Sequence, residues 1–73
     1  MGKHQTASER LRGFRASRAL TQLEVAELVG CTEGWISLLE RGLALPGKRV
    51  GLGIKRVAGI ELEDWPEPER KTG

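Results

Sequence analysis

Apolar residues recur along most of this chain at helical rather than alternating intervals. The run Leu11, Phe14, Arg15, Arg18 predicts a first helix with Ser8 as its N-cap and with Leu11 and Phe14 as the positions that need burial. Met1 to Ala7 reads as a flexible arm ahead of it. A second helix is expected from Thr21 to Val29. Thr21 and Glu24 have capping-box spacing, Leu20 can staple the helix start, and Val25, Ala26 and Val29 share one face. Gly30 stands where a left-handed C-cap residue belongs. Cys31 and Thr32 form a turn, and Thr32 can cap a third helix over residues 33–41, with Ile36, Leu39 and Glu40 facing inward and Gly42 closing it. After the linker Leu43 to Pro46, a fourth helix runs from Lys48 to Ala58 on Val50, Ile54, Val57 and Ala58, and Gly59 ends it. Gly51 and Gly53 each cost up to about 1 kcal/mol relative to alanine, which makes this the weakest helix. Ile60, Leu62 and Trp65 are expected to fold back on the core, and Pro66 to Gly73 to be a disordered, polar tail.

The expected architecture is therefore all-α, with four to five helices, in one domain over residues 8–65 flanked by the arm 1–7 and the tail 66–73. Two short helices joined by a three-residue turn that begins with glycine form a helix-turn-helix arrangement. Gly30 must accept the chain reversal, and a small apolar residue must fill the angle between the helices. Cys31 suits that filling role better than a redox or ligand role.

At 73 residues the chain has room for one small core. Cys31 is the single cysteine and His4 the single histidine, so neither an internal disulfide nor a zinc cluster is available. Tight helix packing and self-association are the remaining sources of stability. No apolar run reaches the length of a membrane span, and Met1 to Arg18 lacks the apolar stretch of a secretory signal, so a cytoplasmic, reducing location is expected. The net charge of +2 is unevenly spread: residues 1–59 carry +5 and residues 60–73 carry −3. A basic body suits a polyanionic partner, although a merely solvated surface would look the same. No glycine-rich phosphate loop and no Ser/His/Asp or Cys/His set is present, and Glu63 and Asp64 read as solvated acids. The chain is not expected to be an enzyme or to take a cofactor, a metal or a small-molecule substrate.

Arg15, Leu20-Thr21-Gln22, Val25-Ala26, Val29-Gly30, Ile36-Ser37, Glu40, Gly42 and Pro46 stand at spacings by which Leu11 to Pro46 resembles, without a gap, the lambda-repressor-like (phage repressor and Cro, or XRE) helix-turn-helix family. Ile54 to Trp65, with Gly59-Ile60 and Asp64-Trp65, is similar to the end of small phage Cro-type regulators. The resemblance implies a homodimeric repressor on double-stranded DNA, with the second helix of the motif in the major groove. It implies that Gln22 meets a phosphate at a helix start and that Thr32, Glu33, Gly34, Ser37 and Leu38 face the groove. Arg41, Lys48 and Arg49 would serve the DNA backbone, since Leu43-Ala44-Leu45 holds no cation. It further implies an ion pair between Arg15 and Glu40.

Family members often place Gln, Arg or Asn where this chain has Glu33 and Gly34. Glu33 can accept from a cytosine amino group or simply favour the helix N-terminus, and both readings stand. Trp35 suits packing along a sugar-phosphate wall better than a core position. The alternative function, from another class, is a protein-interaction module whose apolar surface is Leu23, Leu28, Trp35 and Leu38.

Overall fold

Three threonines open the first three helices of the computed structural model, which describes residues 6–66. The expected arm and tail therefore lie outside the described residues, except for Thr6, Ala7 and Pro66. Helix α1 spans Ala7–Ser17, α2 Gln22–Val29, α3 Glu33–Glu40 and α4 Lys48–Ala58, and a 3-10 turn covers Leu62–Asp64. The fold is all-α.

The N-cap of α1 is Thr6, not Ser8. Thr6 Oγ1 accepts from the Glu9 amide at 3.1 Å, and the Glu9 carboxylate accepts from the Thr6 amide at 3.0 Å. This reciprocal pair draws two more residues into the helix, and Ala7 becomes part of the buried core. Thr21 and Glu24 repeat the arrangement at α2, at 3.0 and 2.8 Å. At α3 the Thr32 hydroxyl accepts from the Trp35 amide at 3.1 Å.

Phe14 was expected in the core and is only half-buried, with the Arg18 guanidinium 4.8 Å from its ring centroid. The inward line of α1 runs Ala7, Leu11, Arg15 at intervals of four, which leaves Phe14 turned about 60° away. The core is Ala7, Leu11, Val25, Ala26, Val29, Ile36, Leu39, Ile54, Ile60 and Trp65. Ile60 and Trp65 do return onto it, and the Trp65 indole N–H is buried without a hydrogen-bond partner.

Helix α2 packs against both α3 and α4, α1 against α3, and the 3-10 turn against α4. Each of the three turns between α1, α2, α3 and α4 holds a residue of left-handed backbone, Gly42 at φ 75° being the one before α4. Gly30, at φ 95°, ends α2 without a steric penalty. Ala19, at φ 54°, closes α1 in the same region, where a Cβ is disfavoured.

The glycines of α4 are contact points rather than mere weaknesses. A Cβ on Gly53 would lie 2.8 Å from the Val29 carbonyl oxygen and 3.1 Å from Val29 Cγ1, and one on Gly51 would collide with the Leu62 side chain. The absence of side chains lets α4 lie directly on the end of α2. Leu62 can rotate aside, whereas the Val29 carbonyl is fixed in the helix. Gly53→Ala should therefore destabilise the fold by about 1–3 kcal/mol despite its better helix propensity. Gly13→Ala, in α1 with open space around it, should stabilise by about 0.4–1 kcal/mol. Urea unfolding monitored by circular dichroism measures both, and equal signs would reject this account of α4.

Candidate nucleic-acid interface

The orientation of α3 is fixed at its C-terminal end by a buried carboxylate. Glu40 is the last residue of α3, and its side chain is 2 % exposed. Arg15 Nε donates to Oε2 at 2.7 Å and Arg15 Nη2 to Oε1 at 3.0 Å. Gln22 Nε2 donates to Oε1 at 3.1 Å, and Arg15 Nη1 donates to the Leu20 carbonyl at 3.1 Å. One acid thus joins α1, the first residue of α2 and α3. The hydrogen bonds to Glu40 hold the Arg15 pKa above its ordinary value, burial opposes that, and the charge of Glu40 adds to it. Such two-point guanidinium–carboxylate pairing admits one relative orientation of its partners.

The other end of α3 is set by the turn. Gly30 donates to the Ala26 carbonyl at 2.7 Å and Cys31 to the same carbonyl at 2.9 Å. Cys31 is half-buried against the core, and burial raises its thiol pKa while Arg49 partly offsets the rise. A protonated, packed thiol is a filler.

Between these anchors Thr32, the N-cap, and Glu33 and Gly34 of α3 are exposed, with Ser37 and Leu38 half-buried beside them. Trp35 is half-buried and packed against the core, so part of its surface is already used within the chain. Helix α3 stops at Glu40 instead of residue 41. Arg41 is its C-cap, exposed at the far end from Thr32. Gln22 is committed in part to Glu40, with its second amide hydrogen and its carbonyl still available. Lys48 is exposed at the start of α4. Arg49 leans back, Nη1 donating to the Gly30 carbonyl at 3.3 Å, which brings α4 alongside the turn that precedes α3.

The charge layout was not apparent from the motif alone. From Ala19 to Glu40 there is no lysine or arginine, while Glu24, Glu27, Glu33 and Glu40 lie in that stretch. Cations stand on either side, on α1 and on Arg41 and α4. Lys55 and Arg56 are exposed in the last turn of α4, on the same side as Lys48 and Arg49. Their spacing, seven residues beyond the first pair, was the signal that would have found them.

Residues 7–63 match a family described as helix-turn-helix domain. The chain is also 40 % identical over 55 residues to an uncharacterized HTH-type transcriptional regulator of Archaeoglobus fulgidus, an alignment covering 75 % of this chain and 79 % of that protein.

Removing one partner of the buried pair leaves the other charge uncompensated. Glu40→Ala should cost about 3–5 kcal/mol. The Arg15→Met, Glu40→Leu double substitution should recover much of that loss, because an apolar pair of similar volume needs no solvation. Denaturant midpoints of the single and double variants test this, and strict additivity of the single losses would contradict it.

Proposed function

The chain belongs to the helix-turn-helix domain family, and from that membership we propose that it is a sequence-specific DNA-binding transcriptional regulator. In this reading it is a repressor of the phage type that acts as a homodimer and sets α3 in the major groove. The observation that carries the proposal is the pairing of two rigid anchors with an open surface between them. The glycine turn and the Glu40 cluster fix α3 at both ends, and Thr32, Glu33, Gly34 and Ser37 are left accessible at the end a groove would receive. The name of the archaeal relative points the same way.

The contacts divide by chemistry. Arg41, Lys48, Arg49 and the free amide hydrogen of Gln22 suit phosphates, which position the protein without reading sequence. Glu33 and Ser37 are the polar side chains on α3 that can reach base edges, Glu33 accepting from cytosine and Ser37 donating or accepting. Gly34 adds no side chain, Leu38 can meet a thymine methyl, and Trp35 offers its open edge to a sugar-phosphate wall. Direct readout is thus sparse, and DNA shape and dimer spacing supply the remainder.

A protein-interaction module is the second reading, favoured by Leu23 and Leu28, which are 48 % and 52 % exposed on α2. Trp35 and Leu38 do not join them as an open surface, since both are half-buried.

Selection of bound sequences from a random duplex pool, followed by titration of variants, tests the main proposal. Glu33→Gln and Ser37→Ala should each change preference at one base pair by about 1–3 kcal/mol. Lys48→Ala should weaken binding to all sequences and lower the salt slope by about 1. Failure of the pool to enrich, together with salt-insensitive binding to a protein, would move the assignment to the interaction module.

A further inference from the structure

Helix α4 carries a cationic face that, among the described residues, a single exposed carboxylate opposes. Lys48, Arg49, Leu52, Lys55 and Arg56 are all exposed, and at 100° per residue they fall within an arc of about 120°. Gly51, Gly53 and Ile54 of the same helix are buried. The two cation pairs are separated by about 10 Å along the axis, at 1.5 Å per residue.

The internal structure explains only part of this charge. Lys55 and Arg56 sit in the last turn, where a helix dipole favours cations. Lys48 and Arg49 sit in the first turn, where it favours acids. The other three helices obey that rule with Glu9, Glu24 and Glu33, and α4 has no acid there and no side-chain cap on Gly47. Among the described residues, the one carboxylate paired with this face is Glu61, 3.4 Å from Lys55, and both of those side chains are about half exposed. Such a contact adds little. Arg49 turns instead to a neutral carbonyl, that of Gly30. The face keeps its charge at a local cost to the helix, which points to a polyanion outside the chain.

We infer that the outer face of α4, through Lys55 and Arg56 as well as Lys48 and Arg49, is a phosphate-binding surface that grips the DNA backbone flanking the groove occupied by α3. This inference rests on the DNA-binding reading and extends it to residues outside the motif. Arg49 against Gly30 places the start of the stripe beside the turn that leads into α3, so one duplex can meet both. Since Ala19 to Glu40 holds no cation, this face supplies much of the electrostatic attraction that the motif lacks. Leu52, 45 % exposed between the pairs, adds no charge that would repel the backbone.

The test compares the intact chain with the Lys55→Gln, Arg56→Gln variant on a labelled mixed-sequence duplex of about 30 base pairs. Binding is measured between about 50 and about 200 mM salt. Loss of two phosphate contacts should reduce the salt slope by about 1.8, so the affinity deficit shrinks about tenfold over that range. The sequence preference from pool selection should not move. Arg56→Gln alone leaves the Lys55–Glu61 contact intact and should reduce the slope by about 0.9, which keeps the test decisive if the double variant is unstable. A variant that binds the duplex with the slope of the intact chain overturns the inference and leaves DNA binding standing. So does loss of self-association in sedimentation with the slope unchanged, which would assign the face to a second copy. If the intact chain binds no duplex, the DNA-binding reading itself fails, and this inference falls with it.

Discussion

The roll of α3 about its own axis depends on satisfying one buried carboxylate. An acid as buried as Glu40 is penalised by several kcal/mol unless its oxygens are answered by donors, and here three N–H groups from two other helices answer them. The position matters as much as the number. Arg15 lies near the end of α1, Gln22 starts α2 and Glu40 ends α3, so three helix termini converge on a single point. An apolar cluster there could hold the helices together as firmly, but it would leave α3 freer to roll about its axis. Fixing that roll decides which side chains are left facing outward.

The same constraint explains the division of α1. Its third inward position goes to Arg15, which leaves Phe14 at the edge of the core, covered by Arg18. The helix makes up the lost apolar contact at its other end, where Thr6 and Glu9 cap it early and bury Ala7. A reading of apolar spacing alone places Phe14 inside and begins the helix at Ser8, because periodicity weighs hydrophobicity and gives no credit to a charged residue on the inner face.

Elements with strong local chemistry were legible in the sequence. Thr21 with Glu24, Gly30 and the face Val25, Ala26, Val29 specify α2 almost completely, and α3 differs from expectation by one residue at its end. What could not be read depends on distant parts of the chain. Gly53 looks like a defect until Val29 is seen to lie against it, and Ala19 gives no hint of its left-handed backbone. The partial use of Gln22 by Glu40, and of Arg49 by Gly30, appears only when the helices are assembled. Two of the residues that the resemblance assigns to DNA, Gln22 and Arg49, therefore already have an internal partner.

This internal use bears on how such a surface could bind. On the proposed reading, α3 brings Glu33 and no cation of its own to the groove, so it is not the part that first attracts DNA. Attraction has to come from the periphery, where α1, Arg41 and α4 hold the positive charge. A neutral-to-acidic reading head then imposes a condition. It can approach the base edges only where its hydrogen bonds and apolar contacts repay the proximity of Glu33 to the backbone. At a wrong sequence the peripheral cations would still hold the duplex, but a head of this kind would gain nothing from entering the groove. On that reading, keeping the cations off α3 would lower non-specific binding by the head itself, and would raise the ratio of specific to non-specific affinity that a regulator needs among many competing sites.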